Sequence, residues 1–565
     1  NSGSTLSLGG NFTNTGGTVG GSGTGRLALT GAVVQTIGGT LSTFPNLTVG
    51  TAAAVTTGPV NILSTGGVTL NGNLAVGTNQ AFTLLSDANG TAFVINNGTA
   101  VATGSVTVQR YINTAINAGP GYRHYSSPVG NTTVADLTTT GFTPTVNPAY
   151  NTSANPPSVT PFPTVFSYNQ SRLGLTNTSP EFDKGFLSPA ALTDPLTPTF
   201  GYTVNIAGNQ LVDFVGTLNN GSISRVGLVR GTQALAGYHF TGNPYPSAIN
   251  FNTVYSASSG IENAVYVFKS TTQYTGTYAS YVNGVGANGG SNIIPIAQGF
   301  FVRSVTNSTG TINFTNSARL TTADNTLFQR PTADSRARLG VTLRNAAVAN
   351  QTYIYFEQGA TPAFDAAFDA SYLPASHGLD LATETSTESL SINGQPALTA
   401  TTTVPLRLHA ALAGTYTLAI DELANLPAGY HAYLRDALTG TYTDLATTPS
   451  VSLTLAPADA AIGRYAIVFG TATPLATASA ATAQLVSLYP NPAHGTVSLL
   501  LPQTLRTGTA TEVTVVDNLG RTVLSRTLSA AATTLDLPLD GLSTGIYSVQ
   551  AQTSAGVVAK RLVVE

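Results

Sequence analysis

The chain has 565 residues, of which 42% are hydrophobic and only 8% are charged, and its net charge is −3 at pH 7. This length predicts about three to five domains, and the near-neutral charge, without a basic block, argues against nucleic acid or an anionic membrane surface as a partner. The absence of Cys excludes disulfides, thiolate metal sites and cysteine nucleophiles, and no apolar run approaches the roughly 20 residues that a membrane helix needs.

Residues 1–108 are rich in Gly, Thr, Ser and Asn, with short apolar segments such as 27–29, 47–49 and 68–70. Because these segments recur at steps of about 20 residues, they predict stacked β-turns, as in a short parallel β-solenoid or β-helix. A flexible, low-complexity linker is the alternative, and the regular apolar segments favour the solenoid. Because the chain contains no Met, we expect that an N-terminal segment was removed in maturation or that the chain is a fragment. The first predicted coil has no cap, which fits a truncation or a partner that stacks on it.

Aromatic residues become more frequent in residues 109–330, where strands run into Pro-bearing turns at 121–129 and 237–246. This length and pattern predict a jelly-roll-like β-sandwich with long loops. Residues 331–472 contain further alternating segments, which predict a second β-sandwich. A small, uncharged, Ala/Thr-rich stretch at 473–484 predicts a linker.

Gly284-Val285-Gly286-Ala287-Asn288-Gly289 has the letters of a dinucleotide fingerprint. That fingerprint requires a strand before it and a helix after it, and a strand follows here, so we predict a loop. His124 and His239 stand beside Tyr and Phe, which predicts that they pack among aromatic rings. The six His residues show no pair at metal-ligand spacing: His124, His239, His377, His409, His431 and His494.

Asp365 and Asp369, with Glu357 and Asp380 nearby, form the densest acidic group of this acid-poor chain. Paired carboxylates act as acid and base in glycoside hydrolysis, or as oxygen ligands for Ca²⁺. The spacing within 364–369 suits one helical turn with two Phe inward and two Asp outward, and we favour this solvated turn. The sequence therefore predicts no catalytic residue and no cofactor-binding residue, and Asp365 and Asp369 are its candidates for a Ca²⁺ site.

Tyr266, Tyr274, Tyr278 and Tyr281 lie close together in the sequence. A Tyr ring presents a flat apolar face with a polar edge, so exposed rings here would form a platform for sugars. The commoner outcome is that such residues belong to the core of a β-sandwich. Solvent-facing rings would support sugar binding at this place, and buried rings would contradict it.

Residues 485–565 have the pattern of about seven short strands, which predicts an immunoglobulin-like sandwich. Tyr489-Pro490-Asn491-Pro492 begins it as a stiff, extended segment, because each Pro restricts the residue before it and removes a backbone donor. Asp517-Asn518-Leu519-Gly520-Arg521 has the residues of a hairpin turn. Gly541-Leu542-Ser543-Thr544-Gly545-Ile546-Tyr547 precedes a closing hairpin that turns at Ser554-Ala555-Gly556 and contains Lys560.

These three motifs, in this order at the chain end, resemble the C-terminal sorting domain of type IX secretion (Por) substrates in Bacteroidetes. The resemblance implies export through the inner membrane, passage across the outer membrane by the type IX machinery, and release or anchoring at the outer surface of a Gram-negative cell. Residues 109–330 also resemble segments that precede sorting domains in large surface proteins of unassigned activity in that group. The matching positions are Tyr489, Pro490, Asn491, Pro492, Asp517, Gly520, Arg521, Gly541, Gly545, Tyr547 and Lys560.

We therefore expect an all-β, multidomain, secreted or cell-surface protein that is not an enzyme and acts as an adhesin or structural protein, in its most specific form as the subunit of an extracellular fibre. The alternatives are a carbohydrate-binding surface protein and a glycan-active enzyme, which needs a cleft with two carboxylates about 5–10 Å apart. The expected partners are the type IX machinery, further copies of the chain and surface glycans, with neither nucleic acid nor a membrane span.

Overall fold

The computed structural model describes residues 3–17, 23–96, 98–321, 334–374, 376–457, 463–471, 483–506, 510–518, 520–553 and 556–565. These residues are mostly β-strands, which confirms the predicted all-β class. No described helix is both long enough and apolar enough to cross a membrane. Most of the predicted linker at 473–484, Leu519 and the turn residues Ser554 and Ala555 lie outside the described residues.

The first region folds into fourteen short strands: β1 (Thr5–Leu8), β2 (Phe12–Asn14), β3 (Arg26–Leu29), β4 (Gln35–Gly39), β5 (Ser42–Val49), β6 (Ala54–Thr56), β7 (Val60–Leu70), β8 (Leu74–Val76), β9 (Phe82–Leu84), β10 (Ser86–Asp87), β11 (Gly90–Thr91), β12 (Phe93–Asn96), β13 (Ala102–Thr103) and β14 (Val106–Tyr111). Two parallel sheets share most of them. One has the order β1-β3-β5-β7-β9-β14 and the other the order β2-β4-β6-β8-β13.

The two sheets form the predicted solenoid, because the chain alternates between them once per coil. Leu27 pairs with Leu47 and Leu47 with Val68, which are steps of 20 and 21 residues. All three side chains are buried, so equivalent apolar residues of successive coils stack on one another. The apolar segments seen in the sequence are therefore the interior ladder of a β-solenoid.

The solenoid is not separated from the next region by a linker. On one edge β14 pairs in parallel with β9, and on the other it pairs antiparallel with β20 (Leu211–Leu218). The buried side chains of Val108 and Phe214 belong to one hydrophobic core that also contains solenoid residues. The boundary predicted at 108/109 falls within β14, and that at 330/331 lies outside the described residues.

The strands of the second region are β15 (Gly121–Tyr125), β16 (Val129–Gly130), β17 (Val165–Tyr168), β18 (Phe186–Leu187), β19 (Tyr202–Ile206), β20, β21 (Ile223–Val229), β22 (Tyr238–Gly242), β23 (Ile249–Asn250), β24 (Ala264–Ser270), β25 (Gly276–Val282), β26 (Val285–Ala287), β27 (Ile293–Ile294), β28 (Gly299–Arg303) and β29 (Thr309–Phe314). One sheet has the order β15-β19-β17-β18 and another the order β22-β28-β24-β25-β26. The described helices of the chain are short: α1 (Phe251–Ser256) and the 3-10 helices Val134–Leu137, Pro148–Asn151, Pro156–Ser158, Gln170–Arg172, Phe182–Gly185, Asn316–Ala318 and Gln503–Leu505.

The strands of the third region are β30 (Arg338–Arg344), β31 (Ala349–Phe356), β32 (Ala370–Ser371), β33 (Leu379–Glu384), β34 (Ser389–Gln395), β35 (Thr403–Ala410), β36 (Gly414–Ala424), β37 (His431–Asp436), β38 (Thr441–Asp444), β39 (Ser450–Leu455) and β40 (Tyr465–Gly470). They form one sheet with the order β38-β37-β40-β35-β33-β34-β31-β30-β36-β39. Only residues 445–449 connect the two edge strands, and these six peptide steps reach at most about 21 Å. Nine steps of about 4.8 Å would separate the edges by about 43 Å in a flat sheet, so this sheet curls back on itself around its core.

The second and third regions share a cluster of buried side chains that includes Tyr238, Tyr266 and Phe301 from one and Tyr355 and Ile392 from the other. The last region has a hydrophobic core of its own. Its strands are β41 (Ser487–Tyr489), β42 (Thr496–Leu500), β43 (Thr511–Val516), β44 (Thr522–Leu528), β45 (Thr534–Pro538), β46 (Gly545–Thr553) and β47 (Gly556–Val564), in sheets of order β41-β42-β45 and β44-β43-β46-β47. The three sandwich assignments stay predictions.

Candidate functional site

A cleft with a volume of about 570 Å³ lies mostly in the second region, between the sheet that contains β15 and β17 and the hairpin of β24 and β25, and Pro374 and Ser376 of the third region also line it. Its walls carry aromatic rings and two carboxylates. We call it the aromatic cleft and define it by seven of its lining residues: Tyr122, Tyr150, Phe162, Phe166, Glu181, Asp183 and Tyr274.

The five rings of the cleft form a continuous strip. The ring centroids of Tyr274 and Tyr122 are 6.4 Å apart, those of Tyr122 and Phe166 6.2 Å, those of Phe166 and Tyr150 5.0 Å, and those of Tyr150 and Phe162 5.7 Å. Tyr274 at one end is 60% exposed and Phe162 at the other end is 37% exposed. The strip is therefore anchored in the protein at its centre and open to solvent at both ends.

Hydrogen bonds from Asn side chains fix the loops that carry these rings. Asn147 caps the 3-10 helix of Tyr150 by accepting from the N–H of Ala149, and its amide donates to the carbonyl of Pro161 at 2.9 Å. This second bond holds the backbone next to Phe162. Hydrogen bonds of this kind, from an Asn side chain to the nearby backbone, order loops that have no regular secondary structure.

Arg172 and Asn151 connect the helix of Tyr150 to the segment that carries the carboxylates. The guanidinium of Arg172 donates to the carbonyls of Asn151 at 2.8 Å and of Lys184 at 3.3 Å. The side chain of Asn151 bonds the backbone N–H and C=O of Ser188 at 2.8 and 2.9 Å. Because the loops are tied to one another, the cleft is shaped before any ligand enters it.

The two carboxylates differ in their surroundings. Glu181 accepts from the ammonium group of Lys184 at 2.7 Å. Asp183 is reached by water, yet the protein around it removes enough solvent to raise the pKa of its carboxyl to about 6. After desolvation, the charge of Asp183 is a further cause of the raised pKa of Tyr150. At neutral pH the cleft thus offers aromatic faces beside two strong hydrogen-bond acceptors.

Of the two alternatives for the four Tyr residues between 266 and 281, burial in the core is found for three of them, and the platform is not formed. Tyr266, Tyr278 and Tyr281 are buried, and only Tyr274 is exposed. The other members of the aromatic cleft were missed by sequence reasoning. The signal that could have shown them is the density of aromatic residues among Pro and Asn residues in the long loops of 147–186.

The acidic group around Asp365 is also arranged differently from the prediction. Asp369 is fully buried, and its carboxylate accepts from the backbone N–H of Asp365 at 2.6 Å and of Gly394 at 2.7 Å. The expectation that both Asp side chains point outward is therefore wrong for Asp369, because its carboxylate points inward to accept from the N–H of Gly394 in strand β34. Burial raises the pKa of Asp369 to about 7. Across the described ranges no three His, Asp or Glu residues are grouped as a metal site, and Ca²⁺ at Asp365 and Asp369 stays a prediction.

His124 packs among aromatic rings, as predicted. Its ring centroid lies 4.5 Å from that of Phe240 and 5.2 Å from that of Phe268, and burial lowers its pKa to about 3. The fingerprint-like segment 284–289 contains strand β26, and the next described element after it is strand β27 and not a helix. It is thus part of a hairpin with β25, and not a loop throughout.

The motif residues of the last region hold its backbone. The amide of Asn491 donates to the carbonyl of Arg561 at 2.7 Å and accepts from the N–H of Val563 at 2.8 Å, which ties the Tyr489-Pro490-Asn491-Pro492 segment to the last strand. Arg521 pairs with Asp517 at 2.8 Å across a turn. The hydroxyl of Tyr547 donates to the carbonyl of Ser543 at 2.8 Å.

Comparison with known families divides the chain into two parts, of which the second is the last region with its own hydrophobic core. A family described as "Domain of unknown function (DUF8693)" matches residues 32–460. The chain belongs to the DUF8693 family. The family described as "Secretion system C-terminal sorting domain" matches residues 487–565 of this DUF8693 protein, which confirms the resemblance to type IX substrates. The protein is therefore exported, and its location is the cell surface or the medium.

No curated protein is similar enough to the DUF8693 protein to match it. Among solved structures, a chain described as "Biofilm associated protein - BSP domain" aligns with 82% of this chain and 96% of its own length, at 10% identity and a TM-score of 0.12. A TM-score this low supports no conclusion about the fold or the function.

Proposed function

We propose that this exported protein is a non-enzymatic adhesin of a Bacteroidetes-like bacterium and that it binds a surface glycan through the aromatic cleft. The observation that carries the proposal is the strip of five touching rings, open to solvent at Tyr274 and Phe162. Aromatic faces stack on the apolar faces of sugar rings, and the carboxylates of Glu181 and Asp183 accept hydrogen bonds from sugar hydroxyls. The volume of about 570 Å³ lies within the usual range of ligand sites.

The positions of the carboxylates favour binding over hydrolysis. Glu181 and Asp183 are two residues apart at the start of one 3-10 helix, so they approach a ligand from the same wall. Glycosidases place their two carboxylates on either side of the bond that is cleaved. In addition, Glu181 is engaged by Lys184.

The test measures the affinity of the purified full chain for a panel of immobilised polysaccharides. For any glycan that binds, Tyr274→Ala should weaken the affinity about 2- to 12-fold, because stacking on one ring contributes about 0.5–1.5 kcal/mol. Tyr489→Ala is the matched control, since Tyr489 is 50% exposed but belongs to the sorting domain. Equal affinities of the wild type and Tyr274→Ala for every glycan that binds would contradict the proposal.

A glycan-active enzyme is the second candidate, and the raised pKa of Asp183 favours it. A carboxyl with a pKa of about 6 retains enough protonation near neutral pH to act as a general acid. The check is the release of reducing ends from each glycan that binds. We expect no reducing ends to be released. A cleavage activity that Asp183→Asn abolishes would show that the protein is a hydrolase and not an adhesin.

Assembly into a fibre is a finer form of the same proposal, and it rests on strand β1. Among the described residues β1 is an edge strand that pairs with β3 alone, and Leu6 on it is 55% exposed. Such an edge can add a strand from another molecule. Negative-stain microscopy should show linear assemblies, and monomeric particles over a wide concentration range would count against them.

A further inference from the structure

A second cavity, of about 180 Å³, adjoins the aromatic cleft, with which it shares the wall formed by Tyr122, His124 and Phe268. Three cationic side chains line it: Arg110 from β14, Arg123 from β15 and Lys269 from β24. No Asp or Glu is found among the described residues that line this cavity. Such a concentration of positive charge is unusual in a chain with 22 Lys and Arg among 565 residues and a net charge of −3.

The three cations are satisfied only in part, and only by neutral oxygens. Arg110 donates to the hydroxyl of Thr91 at 3.3 Å, and Arg123 donates to the carbonyl of Asn117 at 2.5 Å. Lys269 donates to the backbone carbonyl of Asn288 at 2.8 Å. In the described part of the chain none of the three forms an ion pair.

Arg123 shows most directly that the hydrogen bonding of these cations is incomplete. Its Nε has neither a hydrogen-bond partner among the described residues nor surface that solvent reaches, so of the five N–H donors of the guanidinium those on Nη1 and Nη2 can face the cavity. Burial also lowers the pKa values of Arg110, Arg123 and Lys269. The three side chains are half-buried, and a cation that is partly withdrawn from water is costly unless an opposite charge compensates it; the described residues that line the cavity provide no carboxylate.

We propose that this cavity is a binding site for one small oxyanion, namely a carboxylate, sulfate or phosphate group, held between Arg110, Arg123 and Lys269. The two guanidinium groups present planar pairs of donors that match the oxygens of such an anion, and the ammonium group adds a point charge. The small volume admits a single anionic group. The proposal of an anion site does not depend on the proposed function, because an anion can bind in this cavity whether or not the aromatic cleft binds a glycan.

Isothermal titration calorimetry on the full chain tests the site with three inorganic or simple probes: sodium sulfate, sodium phosphate and sodium acetate, each at millimolar concentration. Sodium chloride at the same ionic strength is the reference, because it screens charges without replacing the oxyanion. We expect saturable binding of at least one probe with a stoichiometry near one. Which probe binds most tightly identifies the anionic group.

Variants assign the binding to the cavity. Arg123→Gln and Lys269→Gln should each weaken the affinity at least tenfold, whereas Arg344→Gln, at an exposed Arg on β30, should leave it unchanged. The absence of saturable binding by all three anions overturns the proposal, as does binding that survives in both cavity variants.

A measurement on the wild type keeps the test decisive if the variants do not fold. In crystals grown with selenate, an anomalous peak should lie between the side chains of Arg110, Arg123 and Lys269. Selenate sites only elsewhere in the protein, or none at all, would overturn the proposal.

Discussion

The guanidinium Nη1 of Arg303 lies 2.6 Å from the carboxylate Oε2 of Glu388, and this ion pair joins the second and third regions of the chain. Arg230 reaches the other carboxylate oxygen of Glu388 at 2.9 Å, and the hydroxyl of Ser371 donates to Oε2 at 2.7 Å. Burial by itself would raise the pKa of Glu388, but the nearby Arg303 lowers it below its usual value. Glu388 is therefore the ionised centre of a shared polar network.

Replacing Glu388 by Gln should destabilise the protein strongly. The substitution leaves Arg303, which is 6% exposed, without its main counter-charge, and removing one partner of a buried pair costs about 3–5 kcal/mol. Because Glu388 itself is 19% exposed, we expect about 3 kcal/mol, measured by urea unfolding at pH 7.

The control for Glu388→Gln is Arg521→Gln, which breaks an ion pair at the surface. The side chain of Arg521 is 74% exposed, so its pair with Asp517 should contribute less than about 1 kcal/mol. Equal losses for the two variants would show that the Arg303–Glu388 pair is not specially important to the fold.

Glu262 should make the protein less stable as the pH rises. Its side chain is fully buried, its Oε1 is 3.3 Å from Arg230, and its Oε2 has no hydrogen-bond partner among the described residues. Burial raises its pKa to about 7, so the folded protein retains this proton while the unfolded chain releases it. The free energy of unfolding therefore decreases from about pH 4.5 to pH 7.

The variant Glu262→Gln removes this pH dependence. Relative to the wild type, it should gain on the order of 2–3 kcal/mol between pH 4.5 and pH 8. Urea unfolding of both proteins at the two pH values gives the difference directly. A difference between variant and wild type that is the same at both pH values would mean that Glu262 is ionised in the folded protein throughout.

Gly66 should be essential to the packing of adjacent solenoid coils. A Cβ atom at this position would lie 1.5 Å from the carbonyl oxygen of Pro45, at the place where the register between β5 and β7 shifts, between the pairs Phe44–Ile62 and Asn46–Gly67. Gly66→Ala should cost at least about 2 kcal/mol, measured by thermal unfolding and by faster amide exchange in β5 and β7. Gly10→Ala is the control, because no atom would lie within 4 Å of its Cβ. Similar effects of the two substitutions would refute the close approach at Gly66.

Asn491 should stabilise the sorting domain through its two backbone bonds. Asn491→Ala removes the contacts with Arg561 and Val563 and leaves a carbonyl and an N–H to be solvated, which should cost about 1–2 kcal/mol. We also expect a smaller fraction of the protein in the medium or at the surface of a host with type IX secretion. Asn518→Ala, at an exposed turn position, should change neither quantity, and an export defect of the same size there would contradict the role of Asn491.

The solenoid could be predicted from the sequence because its order is periodic. Leu27, Leu47 and Val68 recur at steps of 20 and 21 residues, and this spacing is the length of one coil. The sorting domain could be predicted because its motifs are local: each consists of neighbouring residues that act on one turn or one strand. In both cases the information lies within short stretches of the chain.

The aromatic cleft could not be predicted in this way. Tyr122 and Tyr274 touch only because the hairpin of β24 and β25 folds back near β15, and no local pattern specifies that contact. For the four Tyr residues the sequence left a sugar platform and burial in the core as alternatives, because β25 is buried on both faces and alternation carries no information in such a strand. The position of Asp369 depends on the N–H of Gly394, which belongs to a different strand.

Strand β14 has a mechanical consequence for a protein that works outside the cell. Its six residues pair with Leu211–Gly216 of β20, while its opposite edge completes the solenoid. Tension applied along the chain therefore meets no hinge between the coils and the region that carries the aromatic cleft. The pairs between β14 and β20 and the core that they share must be broken before the coils separate from that region, so tension reaches the coils through a paired strand and not through a linker.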